Sequence, residues 1–262
     1  MTGSVVSSIT RMGKYEPFEL QVARGQITMH SSIQKFGYST VIDGTSYPIW
    51  NVAANRTYLT TAATMTVSSS SANDTSAGTG ARTVLIEGLD QNYNYISETI
   101  TLSGQTGVST TKSYLRVQHI TTLTAGSGGK NAGVIYVGTG TVTAGVPAVI
   151  HELAPIGMNT ELSGVYTVPA GYTAYLYQGG MTSQSNGNNF LTATLTYSNQ
   201  GSPWVTPAVT IFTSDMVDYN FTYPMMLPEK TDIESRASVS AGTSSVTSFF
   251  FLVLIKNDGQ PT

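Results

Sequence analysis

ARTVLIEGLDQNYNYISETITLSG, residues 81–104, is the stretch whose reading decides the fold. Thr83, Val84, Leu85 and Ile86 are strand formers, and Asp90-Gln91-Asn92-Tyr93-Asn94 is a polar connector. Ile96, Ile100 and Leu102 follow, with Ser97, Thr99 and Thr101 on the opposite face. Alternation of period two on both sides of a turn predicts a β-hairpin. A half-buried hairpin is not stable alone in water and needs further strands on its apolar face.

Those strands lie on both sides of it. Residues 58–67 (YLTTAATMTV) come before, and residues 68–80 (SSSSANDTSAGTG) read as a low-complexity, mobile tip. Residues 107–111, 113–122 (SYLRVQHITT) and 134–137 (VIYV) follow, separated by Gly-rich turns. Residues 146–158 (VPAVIHELAPIGM) read as a connector, because Pro147 and Pro155 interrupt regular structure. A second β region runs through 172–177, 190–197, 205–212, 217–223, 233–239 and 246–255. Its last strand, within SFFFLVLI (248–255), is nearly all apolar. That predicts a central strand buried on one face and covered on the other by a loop or another subunit. Strands recurring about every ten residues between Gly-rich turns predict an all-β chain of two β-sandwich regions, jelly-roll or Ig-like. The expected division is an extended N-terminal arm at 1–44, a first sandwich at 45–157 and a second at 158–262. The bulky residues of the arm, Phe18, Leu20, Val22 and Ile27, are the candidate partner contacts.

The totals narrow the function classes. At 262 residues with 10 % charged residues, the chain carries less charge than an ordinary cytosolic enzyme. It is not a disordered chain, because 15 Tyr, 8 Phe and 2 Trp can fill a core. A net charge of −3 gives no basic face for nucleic acid. With no cysteine, disulfides and thiolate metal sites are excluded. The N-terminal stretch has no apolar signal-like run, and the longest apolar run, 249–255, falls far short of the ~20 residues that span a bilayer. The expectation is therefore a soluble product made inside a cell, with no membrane partner.

Candidate chemical groups are sparse. Glu87 and Glu98 stand on the two arms of the hairpin. If Gln91 and Asn94 close the turn, the carboxylates face each other, where a cation helped by Asp90 or an acid–base role would relieve the repulsion. The simpler reading is a one-residue offset, or Arg82 and Arg116 as counter-charges on a solvated face. His30, His119 and His151 are not at metal-ligand spacing, and His151-Glu152 lacks the second histidine of a zinc motif. The Gly126–Asn131 run GSGGKN fails as a phosphate loop, with Thr124 at the first glycine position and Asn131 at the Ser/Thr position. Tyr93, Tyr95, Trp204 and the Tyr172/Tyr175/Tyr177 group are candidates for stacking on sugars. No catalytic residue, cofactor or metal site is expected.

The run SSSSANDTSAGTGARTVLIEGLDQNYNYISETITLSG, followed by TTKSYLRV and TAGSGGKNAG, resembles a family of virion structural proteins of tailed bacteriophages, especially marine and cyanobacterial ones. The similarity extends back to VARGQITMHSSIQKFG (22–37) and IW (49–50). It extends forward through VYTVPAGYTAYL (165–176) to LPEKTDIESRA (227–237), and is tightest at the hairpin. The family has no catalytic motif to carry over. The resemblance implies a non-enzymatic virion subunit, assembled in the host cytoplasm. Its partners would be copies of itself and other virion proteins, the major capsid protein or portal and tail proteins. A capsid decoration or cement protein is the expected role, with a ring-forming neck or tail component or a carbohydrate-binding host-recognition module as alternatives.

Overall fold

The hairpin is present as read. In the computed structural model, which describes residues 16–184, 189–213 and 215–257, β4 (Ala81–Leu89) and β5 (Tyr95–Thr101) pair antiparallel around a turn at 90–94. Asp90 closes that turn by accepting the Asn92 and Asn94 backbone N–H groups at 2.8 Å each.

Before the hairpin come a short helix, α1 (Phe18–Ala23), and strands β1 (His30–Ile42), β2 (Tyr47–Pro48) and β3 (Ala63–Ser69). After it come β6 (Val108–Tyr114), β7 (Arg116–Ala125), β8 (Ile135–Thr143), β9 (Val146–Ala154) and β10 (Val165–Thr167). The chain continues with β11 (Tyr172–Gln184), β12 (Leu191–Asn199), β13 (Val205–Phe212), β14 (Met216–Leu227), β15 (Thr231–Val239) and β16 (Ser244–Lys256). Strand makes up 61 % of the described residues and helix 3 %, so the fold is all-β.

The strands form four sheets. In the first β region the orders are β6-β3-β8-β9 and β5-β4-β7. Met65, Val67, Ile135 and Val137 of the one pack with Val84, Ile86 and Ile120 of the other in a single buried cluster. Each such side chain contributes about 1.5–3 kcal/mol on burial. Gly88 allows the sheet to close, because a Cβ there would strike the Arg116 carbonyl and the Tyr114 ring where β4 and β7 shift register. In the C-terminal sheets the orders are β1-β16-β11-β14 and β10-β15-β12-β13, with β2 beside β15. Leu176, Leu252 and Ile233 lie in one of their buried clusters, and Ile42, Met181 and Val239 in another.

Four expectations are corrected here. The arm does not run to residue 44: His30–Ile42 is a 13-residue strand paired with β16, and β2 joins β15. The sheets are thus not two successive sandwiches, since strands from before the first β region complete the C-terminal sheets. Residues 146–154 are strand β9 rather than a connector; Pro147 is tolerated because β9 is an edge strand and Pro147 is its second residue. The supposed mobile tip at 68–80 is pinned by Asp74, which is fully buried. Its carboxylate accepts the N–H groups of Ala81, Ala132 and Gly133 at 2.7–2.8 Å and the Ser69 hydroxyl at 2.6 Å.

Candidate functional site

The candidate contacts of the N-terminal segment sit on and just after α1. Phe18 and Leu20 are each 46 % exposed, while Val22 is turned into this chain's own fold at 3 %. Ile27, in the bend before β1, is half-buried. The helix lies over the outer face of the β1-β16-β11-β14 sheet, where Phe18 and Glu19 share a hollow with Tyr175, Tyr177, Pro224, Val253 and Ile255. Phe18 meets His30 edge-on at 6.1 Å.

Alternation explains this face. Along β16, Phe250, Leu252 and Leu254 point into the core, so Phe249, Phe251, Val253 and Ile255 point outward. Phe251 gathers Phe249, Phe36 and Tyr177 at ring-centroid distances of 5.3, 5.8 and 6.2 Å. Gly180 leaves space for this cluster, because a Cβ there would sit 2.5 Å from the Phe249 ring. The predicted two-sided burial of SFFFLVLI therefore holds inward, while α1 covers only the Val253–Ile255 end outward. Phe36 is left 51 % exposed.

Polar groups hold the two β regions together. Arg116 donates through Nε and Nη2 to both oxygens of Asp232 at 2.8 and 2.9 Å, joining β7 to β15. Thr167 donates to the same carboxylate at 2.6 Å. Lys35 of β1 donates to the Gln118 carbonyl on β7 and to Glu161, both at 2.8 Å. Arg56 donates to Glu152 at 2.7 Å and to the Val117 carbonyl at 3.1 Å, with its guanidinium 5.1 Å from the Trp50 ring centroid. These ion pairs are almost fully desolvated, so they fix geometry rather than serve as a free reactive centre. Arg116 is accordingly no counter-charge on a solvated face. Arg82 bonds the Gly78 carbonyl instead.

The hairpin carboxylates are offset by one residue. Glu87 lies opposite Ser97 and Glu98 opposite Ile86, so the two point to opposite faces. Glu98 accepts the Thr111 and Lys112 N–H groups at 2.9 and 3.0 Å. Burial works to raise its pKa, and those hydrogen bonds outweigh it and bring it down. Glu87 accepts the Tyr95 hydroxyl. Asp90 is occupied by its own turn. Among the described residues, no group of three or more His, Asp or Glu side chains is placed to hold a metal ion.

The histidines occupy three different environments. His30 stands at the start of β1 against Phe18. His119 contacts Glu161 at 2.6 Å, and that hydrogen bond raises its pKa. Burial opposes ionisation of Glu161, but Lys35 and His119 outweigh it and hold the pKa down at about 2. Burial, with Arg56 nearby, lowers His151 to about 4. The signs follow by linkage. The His119 contribution is complete below its ordinary value of 6.5 and fades as pH rises through its raised folded value. The Glu161 contribution is complete above its ordinary 4.5 and fades as pH falls towards about 2. His151, held neutral, penalises the fold as pH falls from 6.5 towards 4. Urea midpoints are expected to fall steadily on acidification through that window, and His151→Gln is expected to flatten the upper part of the fall. A midpoint independent of pH between 6.5 and 4 contradicts this assignment.

No family model and no curated protein matches the chain. Among solved structures, the infectious bursal disease virus VP2 subviral particle aligns at 10 % identity and TM-score 0.23, covering 99 % of this chain and 79 % of that one. T=1 particles derived from the same virus align at 12 % and TM-score 0.23, covering 98 % and 76 %. The virus's Gx strain aligns at 12 % and TM-score 0.25, covering 88 % and 73 %. Similarity at that level carries no argument about fold or role.

Proposed function

We propose that this chain is a non-enzymatic structural subunit of a tailed-bacteriophage virion, built to fit against copies of itself and neighbouring virion proteins. The observation that carries this reading is the aromatic outer face formed by Phe36, Phe249, Phe251 and Tyr177, which α1 covers at one end only. Aromatic side chains with few charges at the centre of a patch are the composition of protein interfaces. The resemblance of the 68–104 run to virion proteins supports the same reading. In it, the exposed Phe18 and Leu20 extend the contact surface, and the role is that of a decoration or cement protein on the head shell. Apolar burial at ~25 cal/mol per Å² supplies the gain at each contact, and symmetry repeats it over many copies.

The test is incorporation into particles. Phe36→Ser with Phe251→Ser on the outer face, or removal of residues 1–28, is expected to lower incorporation by about tenfold or more, as loss of aromatic anchors does at interfaces. Unchanged incorporation of both variants overturns the reading. Copy number separates the two structural roles: hundreds per particle fit a shell, and about a dozen or fewer fit a closed neck or tail ring.

A further inference from the structure

The β4–β5 turn and the β12–β13 turn meet across the junction of the two β regions. Tyr93, at the tip of the first, has φ +63°, a conformation that a bulky residue holds only where its surroundings enforce it. Trp204 follows the second turn, in which Gln200 and Gly201 both take positive φ. Tyr58 lies between them, 5.4 Å from the Trp204 ring and stacked under the Arg116 guanidinium at 4.7 Å. The same guanidinium lies 5.8 Å from the Tyr93 ring. Trp204, 43 % exposed, divides two hollows of about 630 and 480 Å³, and Tyr58 lines both.

From this geometry we infer that the cleft is a binding site for a neutral saccharide. Three features select that class. The rings of Tyr93 and Trp204 offer apolar platforms of the kind that the C–H face of a sugar covers. Gln200, Ser202 and Thr206 line the hollows with uncharged groups able to bond hydroxyls. The charges around the cleft are matched in pairs, Arg116 with Asp232, Arg236 with Glu234 and Arg56 with Glu152, so no net field favours an anion or a cation. The two hollows on either side of Trp204 give room for more than one sugar unit, within the ~300–1,000 Å³ typical of ligand sites. Sequence reading named Tyr93 and Trp204 separately; the fold brings them together with Tyr58. The remaining candidates, Tyr95, Tyr172, Tyr175 and Tyr177, do not line this cleft.

The test uses the full chain and its own fluorophore. There are two tryptophans. Trp50 is 2 % exposed and fixed by its hydrogen bond to the Ala54 carbonyl, so a fluorescence response reports Trp204. Cellohexaose, maltohexaose and chitohexaose are titrated to roughly 10 mM, a range that covers weak millimolar binding, with polygalacturonate as an anionic comparison and a neutral-glycan array in parallel. The expected result is a saturable shift with at least one neutral oligosaccharide. Trp204→Ala and Tyr93→Ala are expected to weaken it by about tenfold or more, and Trp204→Phe to retain part of it. Binding for the alanine variants is read on the array, beside a thermal melt. Silence of every neutral glycan, binding of the anion alone, or unchanged binding in both alanine variants overturns the proposal. This site is independent of the assembly reading, so both alanine variants are expected to enter particles normally. Lost incorporation in place of lost binding would make the cleft a subunit contact and overturn the proposal while leaving assembly intact.

Discussion

Arg116→Ala is expected to lower the stability of the protein by about 3–5 kcal/mol, because it strands the Asp232 carboxylate in a desolvated junction. Arg116 is 9 % exposed and Asp232 2 %. The guanidinium also donates to the Leu59 and Leu115 carbonyls at 2.8 and 2.9 Å, so its removal orphans those acceptors as well. At roughly 2–4 °C per kcal/mol, the melting temperature falls by about 6–20 °C. Arg116→Lys is expected to restore the charge but not the two-pronged geometry, and to recover only part of the loss. A double-mutant cycle separates the pair from its surroundings: Arg116→Met with Asp232→Asn is expected to cost less than the sum of the single changes by about 1–3 kcal/mol. Additive costs in urea unfolding would show that the two side chains are not coupled.

Asp74→Ala is the second large effect, expected to cost at least about 3 kcal/mol. One carboxylate satisfies four donors from three separate stretches of chain, and hydrogen bonds to a charged acceptor contribute roughly 1.5–3 kcal/mol each. Asp74→Asn keeps the shape but turns an NH₂ group towards donors, so it is expected to recover little. The readout that isolates the mechanism is amide hydrogen exchange. Protection at Ala81, Ala132 and Gly133 is expected to collapse in the variant while the β11–β16 ladder stays protected. Retained protection at those three amides would remove Asp74 from its organising role.

How far the fold was legible depended on how local its causes are. The 81–104 hairpin and the 205–212 strand were readable because alternation and turn chemistry lie within one short window. β1 was not, for two physical reasons. Its partner is more than 200 residues away, as the His30↔Ile255 register shows. Its burial pattern also runs against residue type: Lys35 is buried on a carboxylate while Phe36 faces out. A pattern scored on hydrophobicity takes such a strand for irregular chain. The offset of Glu87 from Glu98 turned on how many residues the 90–94 turn consumes, which composition does not state. Asp74 sits in a run of Ser, Thr and Gly that looks loose, and only its distant amide partners reveal an anchor. The cleft was half legible: two of its aromatics were noticed, but nothing local placed Tyr58 between them.

The placement of β1 next to β16 has a consequence for synthesis. β1 remains without its ladder partner until β16, more than 200 residues later, has been made, and the whole first β region is made in between. Early sheet edges of this kind are exposed to wrong pairings in proportion to the waiting time. A chain cut short anywhere before Ser244 leaves both β1 and β11 without the neighbour they share. Such a fragment also lacks Phe249 and Phe251, so a prematurely ended polypeptide is without the centre of the aromatic face proposed above as the subunit contact.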